Sequence, residues 1–195
     1  MDKKTILFFG SQGSGKGTQA NLLKKYLEGH DSEHEVFLFD TGSALRGLMK
    51  EGGYTADLMR DSLNRGERQP VFLAAQTWSR ALVDNYTGKE HIIMDGSPRT
   101  LLEAEVLDSA FRFYGIDPVV IYLHISEEVA RERLLDRGRA DDTPEGINRR
   151  LAWYKREVTP VIDFYKDSDH TRFVEVGGEK EIDEVQDAIV EVLNI

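Results

Sequence analysis

Five short apolar runs recur along the chain: TILFF (5–9), EVFLF (35–39), HIIM (91–94), VVIYLHI (119–125) and RFVEV (172–176). Longer amphipathic stretches lie between them, such as TQANLLKKYLEG (18–29) and VFLAAQTWSRALVDNY (71–86). Near-continuous apolar strands have no polar face to give to water. Alternating with helices, they predict an α/β fold of three layers, a five-stranded parallel sheet covered by helices on both faces. Two stretches break the alternation. Residues 41–70 read as small helices with glycine breaks and no strand, and residues 136–146 (DRGRADDTPEG) are short and charged. Both follow strands, at the carboxyl ends where open α/β sheets bind ligands. No repeat or low-complexity linker divides the chain, so residues 1–195 read as one domain with an inserted segment at about 41–70 and a short excursion at about 136–146.

The first strand runs into GSQGSGKGTQ (10–19), which matches G-x-x-x-x-G-K from Gly10 to Lys16. Glycines there let successive N–H groups turn inward onto phosphate oxygens, and the helix that follows adds its positive dipole end. Gly13, Ser14, Gly15, Lys16, Gly17 and Thr18 are therefore candidates for holding a nucleoside triphosphate, with Lys16 reaching its β/γ-phosphates, and the fold reads as that of P-loop NTPases. The residue after the lysine is Gly17, where a switch GTPase would place a Mg²⁺-ligating hydroxyl; the hydroxyl comes one position later, on Thr18. Magnesium is then not held by the loop in the GTPase manner.

Charge and composition narrow the possibilities. A net charge of −10 disfavours a bulk nucleic-acid binder. No apolar run approaches the roughly 20 residues of a membrane span. The absence of cysteine excludes disulfides and thiolate metal sites, and fits a cytoplasmic protein. Five histidines, at 30, 34, 91, 124 and 170, lack metal-ligand spacing and read as structural or surface residues. Trp78 and Trp153 fall in helical stretches and read as packing.

Further motifs follow in order: TGxxLR (Thr41 to Arg46), DGxPRT (Asp95 to Thr100), RxxxR (Arg133 to Arg137), RxDD (Arg139 to Asp142) and RRL (149–151). Together with the glycine-rich loop, this ordered set resembles the adenylate kinase family of nucleoside monophosphate kinases, in a short-lid form, over nearly the whole chain. The resemblance implies a Mg²⁺-dependent enzyme that moves the γ-phosphoryl group of ATP to AMP. It implies that Thr41 and Arg46 meet the acceptor nucleotide, that backbone at Glu67, Arg68 and Gln69 lines its base pocket, and that Gly96, Ser97, Pro98 and Arg99 hold its phosphate side. Arg133 and Arg137 would meet ATP, Arg139 and Arg150 would clamp phosphates from the lid, Asp95 would orient Mg²⁺ waters, and Lys180 would contact the adenine of ATP. It also implies a lid over the site, as adenylate kinases are known for, and a cytoplasmic monomer with no nucleic-acid or membrane partner. A lid this short, without cysteine, implies no zinc.

The residue types suit that chemistry. Arg133 and Arg137, four apart, share one helix face, although the neighbouring Glu128, Glu132 and Asp136 offer plain surface ion pairs instead. Arginine forks match phosphate oxygens in pairs. The acceptor is an ionised phosphate oxygen, so positioning and charge stabilisation suffice and no general base is needed.

Three positions depart from the family pattern: Ser43 for an acid, Ser97 for an aromatic, and Glu103 for a glutamine that reads adenine. A carboxylate only accepts hydrogen bonds. It can take the adenine amino group but faces the N1 lone pair, whereas guanine offers N–H donors at N1 and N2. AMP is the expected acceptor, with GMP, or CMP and UMP, as alternatives. Thr100-Leu-Leu-Glu103 is also a T-x-x-E capping box in which Glu103 returns to the Thr100 N–H. A nucleotide-binding regulator without turnover is the remaining alternative; Lys16 and the arginines speak against it.

Overall fold

The computed structural model describes residues 1–65, 67–138 and 142–195. Its strands are β1 (Thr5–Phe9), β2 (Val36–Asp40), β3 (His91–Asp95), β4 (Val119–His124) and β5 (Arg172–Gly177). They form one parallel sheet in the order β2-β3-β1-β4-β5, the architecture expected from the apolar runs. Strand boundaries differ from the sequence reading by one residue at most. The helices are α1 (Lys16–His30), α2 (Thr41–Glu51), α3 (Tyr54–Asn64), α4 (Val71–Asn85), α5 (Leu101–Tyr114), α6 (Glu127–Arg137), α7 (Pro144–Glu157), α8 (Thr159–Lys166) and α9 (Ile182–Leu193).

Alternation along β1 explains the three layers. Ile6 and Phe8 face one side, with Leu23 and Leu27 of α1 and Val185, Ile189 and Leu193 of α9. Leu7 and Phe9 face the other, with Trp78 and Leu82 of α4, Leu107 and Phe111 of α5, and Tyr165 of α8. Both faces of each central strand are thus removed from water, the reason their sequences lack a polar alternation. Truncating Leu23 or Leu107 to alanine would cost about 2–5 kcal/mol. Trp78, 1% exposed, is the packing residue its helical context suggests.

The chain leaves β1, visits β2 and β3 on one side, then crosses to β4 and β5 on the other. Strand order therefore reverses around β1, and the crevice at its carboxyl end is the switch point where such sheets bind ligands. The first excursion folds as α2 and α3, separated by Gly52 and Gly53, both at positive φ. The second is short: α6 ends at Arg137, capped by Gly138 in the left-handed region, and Thr143 caps α7 by accepting from the Gly146 N–H. Arg139 and Asp141, both singled out in the sequence, lie outside the described residues. Among the described residues no helix is long and apolar enough to cross a membrane.

Candidate active site

The glycine-rich loop folds as its sequence requires. Gly10, Gly13 and Gly15 have φ values of 147°, 88° and 89°. A Cβ at Gly10 would stand 2.6 Å from the Leu123 carbonyl oxygen, and one at Gly13 would stand 2.8 Å from that of Ala130. Close approach to β4 and α6, as well as the turn itself, demands glycine. Lys16 opens α1 and curls back over the loop, donating to the carbonyl oxygens of Gly10 at 2.7 Å and Ser11 at 2.8 Å. As a residue it is only partly buried, but its ammonium is enclosed. Burial, opposed by Asp95 and reinforced by Arg99 and Arg137, brings its pKa down to about 8.

Gly17 now has a physical role. A Cβ there would lie 3.1 Å from Asp95 Oδ2, so the missing side chain lets the Asp95 carboxylate approach the start of α1. Burial raises the Asp95 pKa, Lys16 opposes the shift and Asp40 adds to it; Asp40 is its register partner on β2.

Beyond β3 the chain turns through Gly96 (φ 80°) and a cis Ser97–Pro98 bond before α5. The Arg99 guanidinium folds over this turn, with Nε donating to the Gly96 carbonyl at 2.6 Å. A Cβ at Gly96 would come within 2.8 Å of Arg99 Nη2. Ser97, where the family pattern has an aromatic, is buried and hydrogen-bonded to Thr41 Oγ1 at 2.5 Å, which ties the turn to the first residue of α2. Arg46 donates to Ser43 Oγ at 2.8 Å, and Ser43 in turn donates to the α2 cap residue Asp40. One cleft brings Lys16, Gly96, Pro98 and Arg99 together with Gly10 and Gln12.

Trp153 and Tyr154 of α7 line the same cleft. Sequence reading assigned Trp153 to packing alone. It does pack against the core cluster, but the Arg68 guanidinium also lies over its ring, 4.4 Å from the centroid. A periodic helical pattern gave no signal for this second role.

The arginines avoid the plain ion pairs with Glu128, Glu132 and Asp136. Arg133 donates to the carbonyls of Gly178 (2.7 Å) and Glu179 (3.4 Å), in the loop that also carries the exposed Lys180. Arg137 grips Asp142 with two hydrogen bonds of 2.9 and 2.8 Å, and Arg150 adds a third of 2.5 Å. The Asp142 side chain is fully buried. Among the described residues, one carboxylate therefore gathers the Arg137 and Arg150 guanidinium groups beside the phosphate loop, close enough for Arg137 to act on Lys16.

Glu103 forms the helix cap, with a shifted partner. The Thr100 hydroxyl accepts from the Glu103 N–H at 3.2 Å, while Glu103 Oε2 accepts from the N–H of Arg99 at 2.8 Å rather than that of Thr100. The residue is 2% exposed, and burial raises its pKa against the pull of Arg99 and Arg68. Its second oxygen, Oε1, makes no hydrogen bond among the described residues.

A separate cluster lies at the opposite end of the sheet, where Asp31, His34 and His91 converge with ligand-type atoms within 4.8 Å. Lys4 donates its backbone N–H to His91 Nδ1 at 3.0 Å. The proton of neutral His91 therefore sits on Nε2, which donates to Asp31 Oδ2 at 3.1 Å. His34 donates to the same oxygen at 2.9 Å. These are the bonds of a buried structural tie, and His91 Nε2 has no lone pair left for a metal.

Comparison with known proteins agrees with this geometry. A family model described as adenylate kinase matches residues 8–170. The chain is 38% identical to an adenylate kinase of Prochlorococcus marinus (strain AS9601) over 167 residues, 85% of this chain and 86% of the relative. It is 32% identical to one from Corynebacterium glutamicum (strain R), covering 92% of this chain and 93% of the relative. A Parabacteroides distasonis adenylate kinase is 32% identical over 194 residues, 97% of each chain.

Proposed function

The chain belongs to the adenylate kinase family, a phosphotransferase family that works with Mg²⁺ and ATP, and from that premise we propose that it catalyses ATP + AMP ⇌ 2 ADP. The observation that carries this reading is the convergence of Lys16 and Arg99 on one cleft, with Arg137 and Arg150 gathered beside it.

ATP lies along the loop from Gly13 to Thr18. Its phosphates draw the Lys16 ammonium off the Gly10 and Ser11 carbonyls and accept from the loop N–H groups. Arg133 positions the 177–180 loop, where Lys180 meets the adenine. AMP lies under the 41–70 segment, with Thr41, Arg46 and the Gly96–Arg99 turn at its phosphate. Swinging from Gly96 towards that phosphate, Arg99 exchanges a carbonyl acceptor for an anionic one, a stronger bond. The excursion at 136–146 is the lid: Asp142 stands in for a phosphoryl group and keeps the Arg137 and Arg150 forks paired until nucleotide arrives, with Arg139 joining them. As the phosphoryl group moves between two ionised oxygens, these cations spread its charge. No proton needs to be removed, but water must be excluded.

Asp95 suits magnesium. A hard cation that keeps most of its waters needs one or two carboxylates, and Gly17 leaves the space for Asp95 to reach them. Asp95 would hold a Mg²⁺ ion through its waters, and the ion would supply charge neutralisation at the phosphates. A monomeric, cytoplasmic enzyme belongs to the same reading, which the family resemblance supports. Purified protein supplied with MgADP alone tests it: AMP and ATP should accumulate in equal amounts, and their absence would overturn the proposal.

A further inference from the structure

Between α3 and α4, the three residues Glu67, Arg68 and Gln69 behave differently. Glu67 pairs with Arg65 through two hydrogen bonds of 2.9 and 2.8 Å. Gln69 turns back to α3, donating to the Met59 carbonyl and Ser62 Oγ. Of the three, Arg68 instead reaches over the ring of Trp153, a residue in the wall of the cleft.

We propose that Arg68, held against Trp153, selects the acceptor base by donating its guanidinium N–H groups to the N1 lone pair of adenine. The inference rests on the function proposed above and adds a side-chain role where the family resemblance implies backbone contacts. Its chemistry answers the difficulty raised by Glu103. That carboxylate cannot donate, and its Oε2 is already taken by the Arg99 N–H. What remains, Oε1, can only accept, and the adenine amino group suits it. A donor for N1 must come from elsewhere, and Arg68 consists of donors. Arg68 and Glu103 feel one another's charge, and no ion pair between them uses up the guanidinium donors. Together they offer one donor and one acceptor, as a single amide would. The cation–π contact with Trp153 restrains a long, rotatable side chain, which lowers the ordering cost of the contact.

The test compares AMP with 1-deaza-AMP, in which C–H replaces N1, in the wild type and in Arg68→Ala and Arg68→Lys. The wild type should show about a tenfold higher KM for the analogue, the loss expected for one charge-assisted hydrogen bond. Arg68→Ala should raise KM for AMP by about the same factor, with the loss falling on KM for AMP rather than on kcat or on KM for ATP. It should use AMP and the analogue equally. Arg68→Lys, lacking the flat fork, should share most of the defect. In a Trp78→Phe background Trp153 is the sole tryptophan, and its emission should respond to AMP only while Arg68 is present. Wild-type turnover of AMP combined with equal KM values for the two nucleotides would overturn the inference and leave the kinase reading intact, as would losses that multiply in Arg68→Ala. Failure of the wild type to phosphorylate AMP would overturn both. The wild-type comparison of nucleotides holds even if a variant fails to fold.

Discussion

Nucleotide binding should draw a proton onto Lys16. In the free protein its ammonium is enclosed by the loop and flanked by Arg99 and Arg137, and its pKa falls from 10.5 to about 8. The displacement corresponds to roughly 3 kcal/mol withheld from the charged form. Polyphosphate oxygens return that stabilisation, so the bound lysine remains protonated well above pH 9. At pH 8 about half the free lysines are neutral, and at pH 9 about nine-tenths. Binding ATP should therefore take up about half a proton at pH 8, about nine-tenths at pH 9 and about one-tenth at pH 7. Isothermal calorimetry in buffers of different ionisation heat measures the number directly. The nucleotide's own phosphates are fully ionised above pH 8 and add nothing there. Uptake should vanish in Lys16→Gln. Binding without uptake at pH 9, or the same uptake in Lys16→Gln, would refute the electrostatic picture of the loop.

Other predictions follow from the same contacts. Arg99→Ala removes the guanidinium that folds over Gly96; steady-state assays should show phosphoryl transfer reduced by about two to three orders of magnitude, with the melting temperature nearly unchanged. Glu103→Ala loses the bond to the Arg99 N–H and should cost about 1–2 kcal/mol in denaturant unfolding. Glu103→Gln keeps an acceptor there and removes a buried charge. Since the folded pKa of Glu103 is raised, the wild type loses stability as pH rises from the ordinary glutamate value through the folded one, and the Gln variant should lack that loss. At the far end of the sheet the sign reverses. The pKa of His91 is lowered by burial against the pull of Asp31, and that of Asp31 by its bonds from His34, the Glu33 N–H, the chain amine and His91. Both contribute stability that is present at neutral pH and lost on acidification, first as pH falls below the ordinary histidine value of 6.5 and again below 3.8. Thermal melts of His91→Gln should lack the first loss.

The strands and the phosphate loop were legible because their causes are local. Period and apolarity mark β1, β3 and β4, and the positions of Gly10 and Gly13 mark where the backbone must pass close to other elements. The cap at Thr100 is legible for the same reason, although the sequence points Glu103 at the Thr100 N–H and the folded chain offers it the N–H of Arg99 instead. What could not be read depends on distant partners. Nothing local distinguishes Arg137 pairing with Asp136 from Arg137 pairing with Asp142; the left-handed Gly138 and the Thr143 cap decide it by folding Asp142 inward. Trp153 has the spacing of a packing residue, and its contact with Arg68 joins positions 85 residues apart. Asp31, His34 and His91 likewise meet only once β3 lies beside β2.

The central claim is that this cleft exchanges a phosphoryl group between adenine nucleotides. Incubating the protein with MgADP as sole nucleotide and resolving the products by chromatography tests it most directly. AMP and ATP should appear in equal amounts until equilibrium, with Lys16→Gln inactive. Persistence of ADP unchanged, or release of AMP and inorganic phosphate without ATP, would contradict it.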